Sequence, residues 1–265
     1  MPRIRTTTFR KRKEAGERLT VLTAYDYPTA KLLDESGIDA VLVGDSLGTA
    51  VQGKDDTLSV TMDQMIYHTS MVSRAVANAM VIGDMPFLSY QLSPAEAVRN
   101  AGRFVSEGGA QAVKLEGSVD KFGDSIAAIV KTGIPVMAHI GLTPQSVHQI
   151  GGYKVQGRGD QARECLKEEA LGLQQAGCFA IVLELVQADT AAEITEMLTI
   201  PTIGIGSGPH CDGQVLVMHD MLGFGPQRSF FKVFGNAREV MEQAFRDYVR
   251  EVKEGTFPTE EMGHI

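Results

Sequence analysis

Short β-branched runs alternate with longer helical stretches from one end of this chain to the other, and that alternation restricts the fold to a few α/β architectures. The runs are Leu19–Ala24, Ala40–Val43, Met80–Gly83, Ala112–Leu115, Pro135–Ala138, Ala180–Leu183, Thr202–Ile205 and Val215–Met218. Several, such as Ala-Val-Leu-Val and Ala-Ile-Val-Leu, show no polar alternation, as expected of parallel strands buried on both faces. Helices are predicted over Met62–Ala79, from Ser93 to Gly108, over Ser118–Gly133, from Asp160 to Gly177, over Asp189–Leu198 and over Ala237–Glu254. Ser93-Pro94-Ala95-Glu96 supplies an N-cap, a proline at the first helical position and an acid three residues on. Gly37, Gly109, Gly133 and Gly177 each stand just ahead of a strand, where a left-handed helix end is wanted. Eight strands in 265 residues favour a (β/α)8 TIM barrel, typically about 250 residues, over an open doubly wound sheet. We expect a single domain over 1–265, with a short basic N-terminal arm and a loose C-terminal tail.

Composition narrows the function. The 33 acidic against 25 basic residues leave a net charge of −8, which repels phosphate backbones and anionic lipid and argues against nucleic-acid or membrane partners. The basic cluster Arg3, Arg5, Arg10, Lys11, Arg12 and Lys13 reads as a solvated arm. Cys165, Cys178 and Cys211 are odd in number and lack C-x-x-C spacing, so they read as reduced thiols, neither a disulfide frame nor a zinc site. No signal-like or membrane-length apolar run occurs. A soluble cytoplasmic protein is expected.

The chemistry should collect at the carboxyl ends of the strands, where βα loops of a barrel meet. Five runs there end in an ionisable residue. Val41-Leu42-Val43-Gly44 leads into Asp45-Ser46, Val81-Ile82-Gly83 into Asp84, and Ala112-Val113 into Lys114-Leu115-Glu116. Val136-Met137-Ala138 leads into His139, and Ile181-Val182-Leu183 into Glu184. Asp45, Asp84 and Glu116 are hard oxygen donors that suit Mg2+, which takes one or two carboxylates and fills its shell with water and substrate oxygens. Lys114 shares a strand face with Glu116. It can hold a substrate carboxylate or serve as counter-ion to the acids. His139 can touch substrate or be a structural histidine. Glu184 follows an apolar Ile-Val-Leu run, surroundings that disfavour a carboxylate's charged form and suit a proton acceptor.

Two shorter patterns carry less. Gly44-Asp45-Ser46-Leu47-Gly48 fits serine-esterase motifs, but the Asp-x-x-His pair that one such family needs near its C-terminus is missing. Gly204-Ile205-Gly206-Ser207-Gly208 lies where barrels often bind phosphate, yet Pro209 follows it and no Lys-Ser/Thr does. It reads as a tight turn at the barrel mouth.

Taken together, Leu42-Val43-Gly44-Asp45-Ser46-Leu47-Gly48, Gly83-Asp84-Met85-Pro86-Phe87, Val113-Lys114-Leu115-Glu116-Gly117 and His139-Ile140-Gly141-Leu142-Thr143-Pro144-Gln145 resemble ketopantoate hydroxymethyltransferases. The block Gly151-Gly152-Tyr153-Lys154-Val155-Gln156-Gly157-Arg158, Leu183-Glu184 and the stretch from Gly213 to Asp220 agree with that family too. The motifs run in order from about Leu22 to Gly223, with mild departures at Thr49, Ala50, Gln52, Ser207 and His210, and little family signal after Phe224. The resemblance implies transfer of a one-carbon unit from 5,10-methylenetetrahydrofolate to 3-methyl-2-oxobutanoate, giving 2-dehydropantoate for pantothenate biosynthesis through a Mg2+-stabilised enolate. By the same resemblance Asp45, Asp84 and Glu116 serve the metal, Asp45, Ser46, Asp84 and Lys114 contact the 2-oxo acid, and Glu184 is the general base. A decameric homo-oligomer is implied as well. A Mg2+-dependent barrel lyase or mutase acting on 2-oxo acids is the alternative within enzymes, followed by a serine esterase built on Ser46 and a non-catalytic barrel used for binding or assembly.

Overall fold

A computed structural model describes residues 3–152, 154–225 and 229–263, so Tyr153 of the Gly-Gly-Tyr-Lys block lies outside the described residues. The chain divides into two compact units, Met1–Val217 and Met218–Ile265. The first contains eight parallel strands in sequential order, closed into a barrel. They are β1 (Leu19–Thr23), β2 (Ala40–Val43), β3 (Met80–Asp84), β4 (Ala112–Glu116), β5 (Val136–Gly141), β6 (Ala180–Glu184), β7 (Thr202–Ile205) and β8 (Gly213–Leu216). Pairing of Leu19 with Gly213 through Leu22 with Leu216 closes the ring. All eight expected strands are present. The last begins two residues earlier than its apolar run, because Gly213 lets β1 approach: a Cβ there would sit 2.5 Å from the Leu19 carbonyl oxygen.

Helices Tyr27–Glu35, Met62–Ala75, Pro94–Ser106, Val119–Lys131, Asp160–Gln175 and Ala188–Met197 separate successive strands. The Ser93 hydroxyl accepts the Glu96 N–H at 3.3 Å, as its N-cap position requires. Gly37, Gly109, Gly133 and Gly177 all adopt positive φ, between 74° and 95°. The Tyr27–Glu35 helix, absent from the sequence expectation, starts at Asp26, whose carboxylate accepts the Thr29 N–H at 2.8 Å. Between β7 and β8 there is no helix. Strands of only four residues need a short return path, which the extended reach of residues 206–212 covers.

Apolar residues form two layers. Leu19, Val21, Ala40, Leu42, Met80, Ile82, Ala112, Met137, Ala180, Val182, Ile203 and Val215 fill the barrel. Val41, Val43, Val81, Val113, Leu115, Ala138, Ile181 and Leu183 point out to the helices. Gly83 shows how tight the outer layer is, since a Cβ on it would lie 2.2 Å from the Phe104 ring.

The basic N-terminus is not a solvated arm. Thr6–Ala15 is a helix that buries Phe9 completely with the barrel's inner cluster. Its Arg12 pairs with Asp39 and its Lys13 with Asp212, both at 2.7 Å. Charge clustering signals solvation only where no opposite charges wait, and here they wait just ahead of β2 and β8.

The second unit holds a short helix, Met218–Met221, and the helix Ala237–Glu254. Asn236 caps the latter by accepting the Glu239 N–H at 3.4 Å, and Gly255 ends it at a φ of 71°. No helix among the described residues is long and apolar enough to cross a membrane.

Candidate active site at the strand ends

The two-residue period of a strand decides which side chains enter the barrel. On β4, Ala112 belongs to the inner cluster and Val113 and Leu115 to the outer, so Lys114 and Glu116 point inward. The same parity brings in Asp84 above Met80 and Ile82, His139 above Met137, and Glu184 above Ala180 and Val182. Each ionisable residue thus tops a column of apolar side chains from its own strand.

These side chains form one connected cluster. The Asp84 Oδ1 atom lies 2.8 Å from Lys114 Nζ, and its Oδ2 accepts the Asp45 N–H at 3.1 Å. Lys114 Nζ is 3.3 Å from His139 Nδ1, which is 3.5 Å from Glu116 Oε1. The other imidazole nitrogen, Nε2, sits 3.2 Å from Glu184 Oε2. Asp45, Asp84, Lys114, Glu116 and His139 are each no more than 5% exposed, while the Glu184 side chain, 16% exposed, reaches the rim. All the strand-end residues expected to act together are therefore brought together.

Burial drives the Asp45 carboxyl up to about 8, with the nearby Asp84 and Glu116 charges adding to the effect. Burial also raises Asp84, against the pull of Lys114. Glu116 goes the other way: burial is outweighed by His139, Lys114 and the Gln145 N–H, which hold it below the usual range. Burial would lower Lys114, but the charges of Asp84, Glu116 and Asp45 lift it above an ordinary lysine. Burial and Lys114 both depress the His139 imidazole, yet Glu116 and Glu184 prevail and raise it to about 9.

Ser46 sits slightly apart, with its Oγ 2.8 Å from the Tyr25 hydroxyl. An esterase serine needs an imidazole at that place, so the Gly-Asp-Ser-Leu pattern is not a nucleophile here. The glycine turn has the conformation expected of it, with φ of 67° at Gly206 and 82° at Gly208. Between them the Ser207 hydroxyl donates to the Leu183 carbonyl at 2.7 Å and accepts the Val186 N–H at 3.0 Å. The segment carrying Glu184 is thereby tied to the end of β7. Leu142 N–H donates to the Glu184 carbonyl at 2.8 Å and Leu185 N–H to the Ile205 carbonyl at 2.9 Å. Leu185 holds a φ of 47°, a conformation that non-glycine residues adopt only when their surroundings impose it.

Three residues of the site carried no assigned role in the sequence. The Gln145 side chain donates to Asp45 Oδ2 at 2.9 Å, and the Tyr90 hydroxyl lies 2.7 Å from Gln145 Oε1. Tyr25 holds Ser46. Gln145 closes one of the recognised motifs, but a loop glutamine or tyrosine has no periodicity to say that it turns inward.

The donor set suits a divalent cation. Among the described residues Asp45, Asp84, Glu116 and Glu184 pair only with Lys114 and His139, so full ionisation leaves two net negative charges in a largely buried site. Asp84 Oδ1 is buried at ion-pair distance from Lys114 without an aligned hydrogen bond. Among the described residues no three acidic, histidine or cysteine side chains are gathered tightly enough to hold an ion by themselves.

A sequence profile for ketopantoate hydroxymethyltransferase matches residues 3–260, so the family signal extends past the last motif found by inspection. A Clostridium novyi protein named 3-methyl-2-oxobutanoate hydroxymethyltransferase is 57% identical over 96% of this chain and 93% of its own length. A Geobacter sulfurreducens protein of the same name is also 57% identical, over 96% of this chain and 95% of its own. Among solved structures, a phosphonopyruvate hydrolase complexed with oxalate and Mg2+ superposes with a TM-score of 0.66 at 14% identity, covering 97% of this chain and 93% of that one. A 2,3-dimethylmalate lyase of the PEP mutase/isocitrate lyase superfamily gives 0.61 at 19% identity, covering 97% and 91%. Likeness at that level establishes the barrel alone, and the lyase or mutase alternative has no further support. This chain belongs to the ketopantoate hydroxymethyltransferase family.

Proposed function

We propose that this chain transfers a hydroxymethyl group from 5,10-methylenetetrahydrofolate to 3-methyl-2-oxobutanoate, giving 2-dehydropantoate. The observation that carries the reading is the His139–Glu184 pair at 3.2 Å on the rim, beside a buried acidic cluster with too few bases. The substrate C3–H is too weakly acidic to leave unaided at neutral pH. Asp45 and Asp84, with Glu116 behind them, would hold Mg2+, which supplies Lewis-acid withdrawal of charge from a bound 2-oxo acid.

The protein's own groups do the rest. Lys114, anchored by Asp84, offers its ammonium to the substrate carboxylate. Ser46 adds a hydroxyl or N–H. Glu184 takes the C3 proton, with the His139 imidazole 3.2 Å from its carboxylate. The electron pair left at C3 forms the new carbon–carbon bond to the one-carbon unit, both of whose bonds to folate nitrogen break. Water supplies the hydroxyl, and tetrahydrofolate departs with one proton from that water and the one Glu184 took. Assembly as a homo-decamer and a cytoplasmic location, which the family resemblance suggests, belong to the same proposal.

Proton NMR of 3-methyl-2-oxobutanoate in D2O tests the first step without folate. The C3–H signal should disappear only with both protein and Mg2+ present, and hydroxymethylated product should form only when methylenetetrahydrofolate is added. A C3–H signal that persists with both present refutes the assigned chemistry.

A further inference from the structure

Gln145 takes no part in the steps above, yet five hydrogen bonds converge on it. Its backbone N–H donates to Glu116 Oε2 at 3.0 Å. Its side-chain Nε2 donates to Asp45 Oδ2 at 2.9 Å and to the Met85 carbonyl at 3.0 Å. Its Oε1 accepts from the Tyr90 hydroxyl at 2.7 Å and from Gln91 Nε2 at 3.2 Å. These partners fix the orientation of the amide. Turned over, it would set Oε1 against a carboxylate and a carbonyl, and Nε2 against the Gln91 donor.

Tyr90 fixes Gln145 in turn. Its hydroxyl accepts the Glu116 N–H at 3.2 Å and, as a donor, lies 2.7 Å from Gln145 Oε1 and 3.0 Å from the Glu116 carbonyl. The ring stacks edge-on to Phe122 at 5.3 Å, which leaves the hydroxyl little room to swing away. One residue, at the turn Pro144–Ser146 after β5, therefore ties Asp45 from the β2 end and Met85 from the β3 end through its side chain, and Glu116 on β4 through its backbone N–H. Asp45 Oδ1 has no hydrogen bond among the described residues, whereas Oδ2 is taken by Gln145. Without that donor, neither Asp45 oxygen keeps a hydrogen bond among the described residues to hold the carboxylate in its present orientation.

We propose that Gln145, held by Tyr90, is the positioning residue of the cation site, fixing the Asp45 and Glu116 carboxylates so that they face one divalent ion. The inference rests on the assignment of Asp45 to that ion. Most arrangements of buried polar groups only stabilise a fold; this one predicts a change in metal affinity. Outer partners of metal ligands typically contribute about 10- to 100-fold to affinity.

The test uses Mn2+ as a paramagnetic probe on the full-length protein without substrates. Gln145→Met, which keeps the volume and removes every side-chain donor, should weaken Mn2+ binding at least about 10-fold. Tyr90→Phe, which removes one hydroxyl, should weaken it in the same direction by less, and it decides the matter if Gln145→Met does not fold. C3–H exchange by either variant should fall at low Mg2+ and recover as Mg2+ is raised, a rescue that a merely structural lesion would not show. Mn2+ affinity within about twofold of the wild type in both variants, or exchange that extra Mg2+ does not restore, overturns the positioning role. Wild-type protein that binds no Mn2+ overturns the cation-site assignment itself and this inference with it.

Discussion

At the amino-terminal end of the barrel Arg12 meets Asp39 and Lys13 meets Asp212, each at 2.7 Å, whereas at the carboxyl end four carboxylates share one ammonium and one imidazole. Both ends bury charge. At the floor the two buried acids each meet a base and further donors: Asp39 also accepts from the Thr20 N–H and hydroxyl, and Asp212 from the Thr202 N–H. Phe9 completes the closure, with its ring edge-on to Phe179 at 5.5 Å. Nothing at the floor calls for a ligand. At the rim the charges do not balance, and Asp45 is pushed up to about 8 because burial and its acidic neighbours oppose its ionisation. Buried charge alone therefore marks neither function nor stability. The sign and size of the imbalance do.

Three substitutions probe this contrast. The largest effect is expected for Glu184→Gln, which removes the proton acceptor while preserving shape. C3–H exchange should fall by about 10^2- to 10^4-fold, the usual worth of a general base, with Mg2+ affinity and thermal midpoint little changed. Were exchange to survive while the midpoint fell, the rim would be a structural feature like the floor. Phe9→Ala should do the reverse. Emptying a fully buried aromatic site costs about 3–5 kcal/mol of stability, readable by urea unfolding, with exchange per folded molecule unchanged. Lys13→Met should give the smallest effect, about 1.5–3 kcal/mol for losing a charged hydrogen bond, because the Thr202 N–H still satisfies Asp212. A floor variant that slowed exchange without unfolding would show that the two ends are coupled.

Most of the barrel was legible in the sequence, and so was the strand-borne part of the site. Strand side chains alternate with a period of two, which puts Lys114 and Glu116 on one face. Both columns of these buried strands are apolar, however, so only the packing shows that this face, with Asp84, His139 and Glu184, is the inner one. The basic amino-terminal segment misled because Phe9 is a lone apolar residue among charges, and a helix of three turns with a single buried residue leaves almost no periodic signal.

The sequence by itself determined the eight strands, most of the helices and the position of the ionisable residues at the strand ends, since these depend on local conformation and a fixed repeat. Only the tertiary structure decided that Gln145 and Tyr90 lock the acidic cluster, that Tyr25 holds Ser46, and that Arg12 and Lys13 find acids at the floor. Those partnerships join loops and helix faces far apart along the chain. Loop residues follow no repeat, so their direction is set by where packing leaves the backbone, and a sequence read along one dimension does not contain that distance.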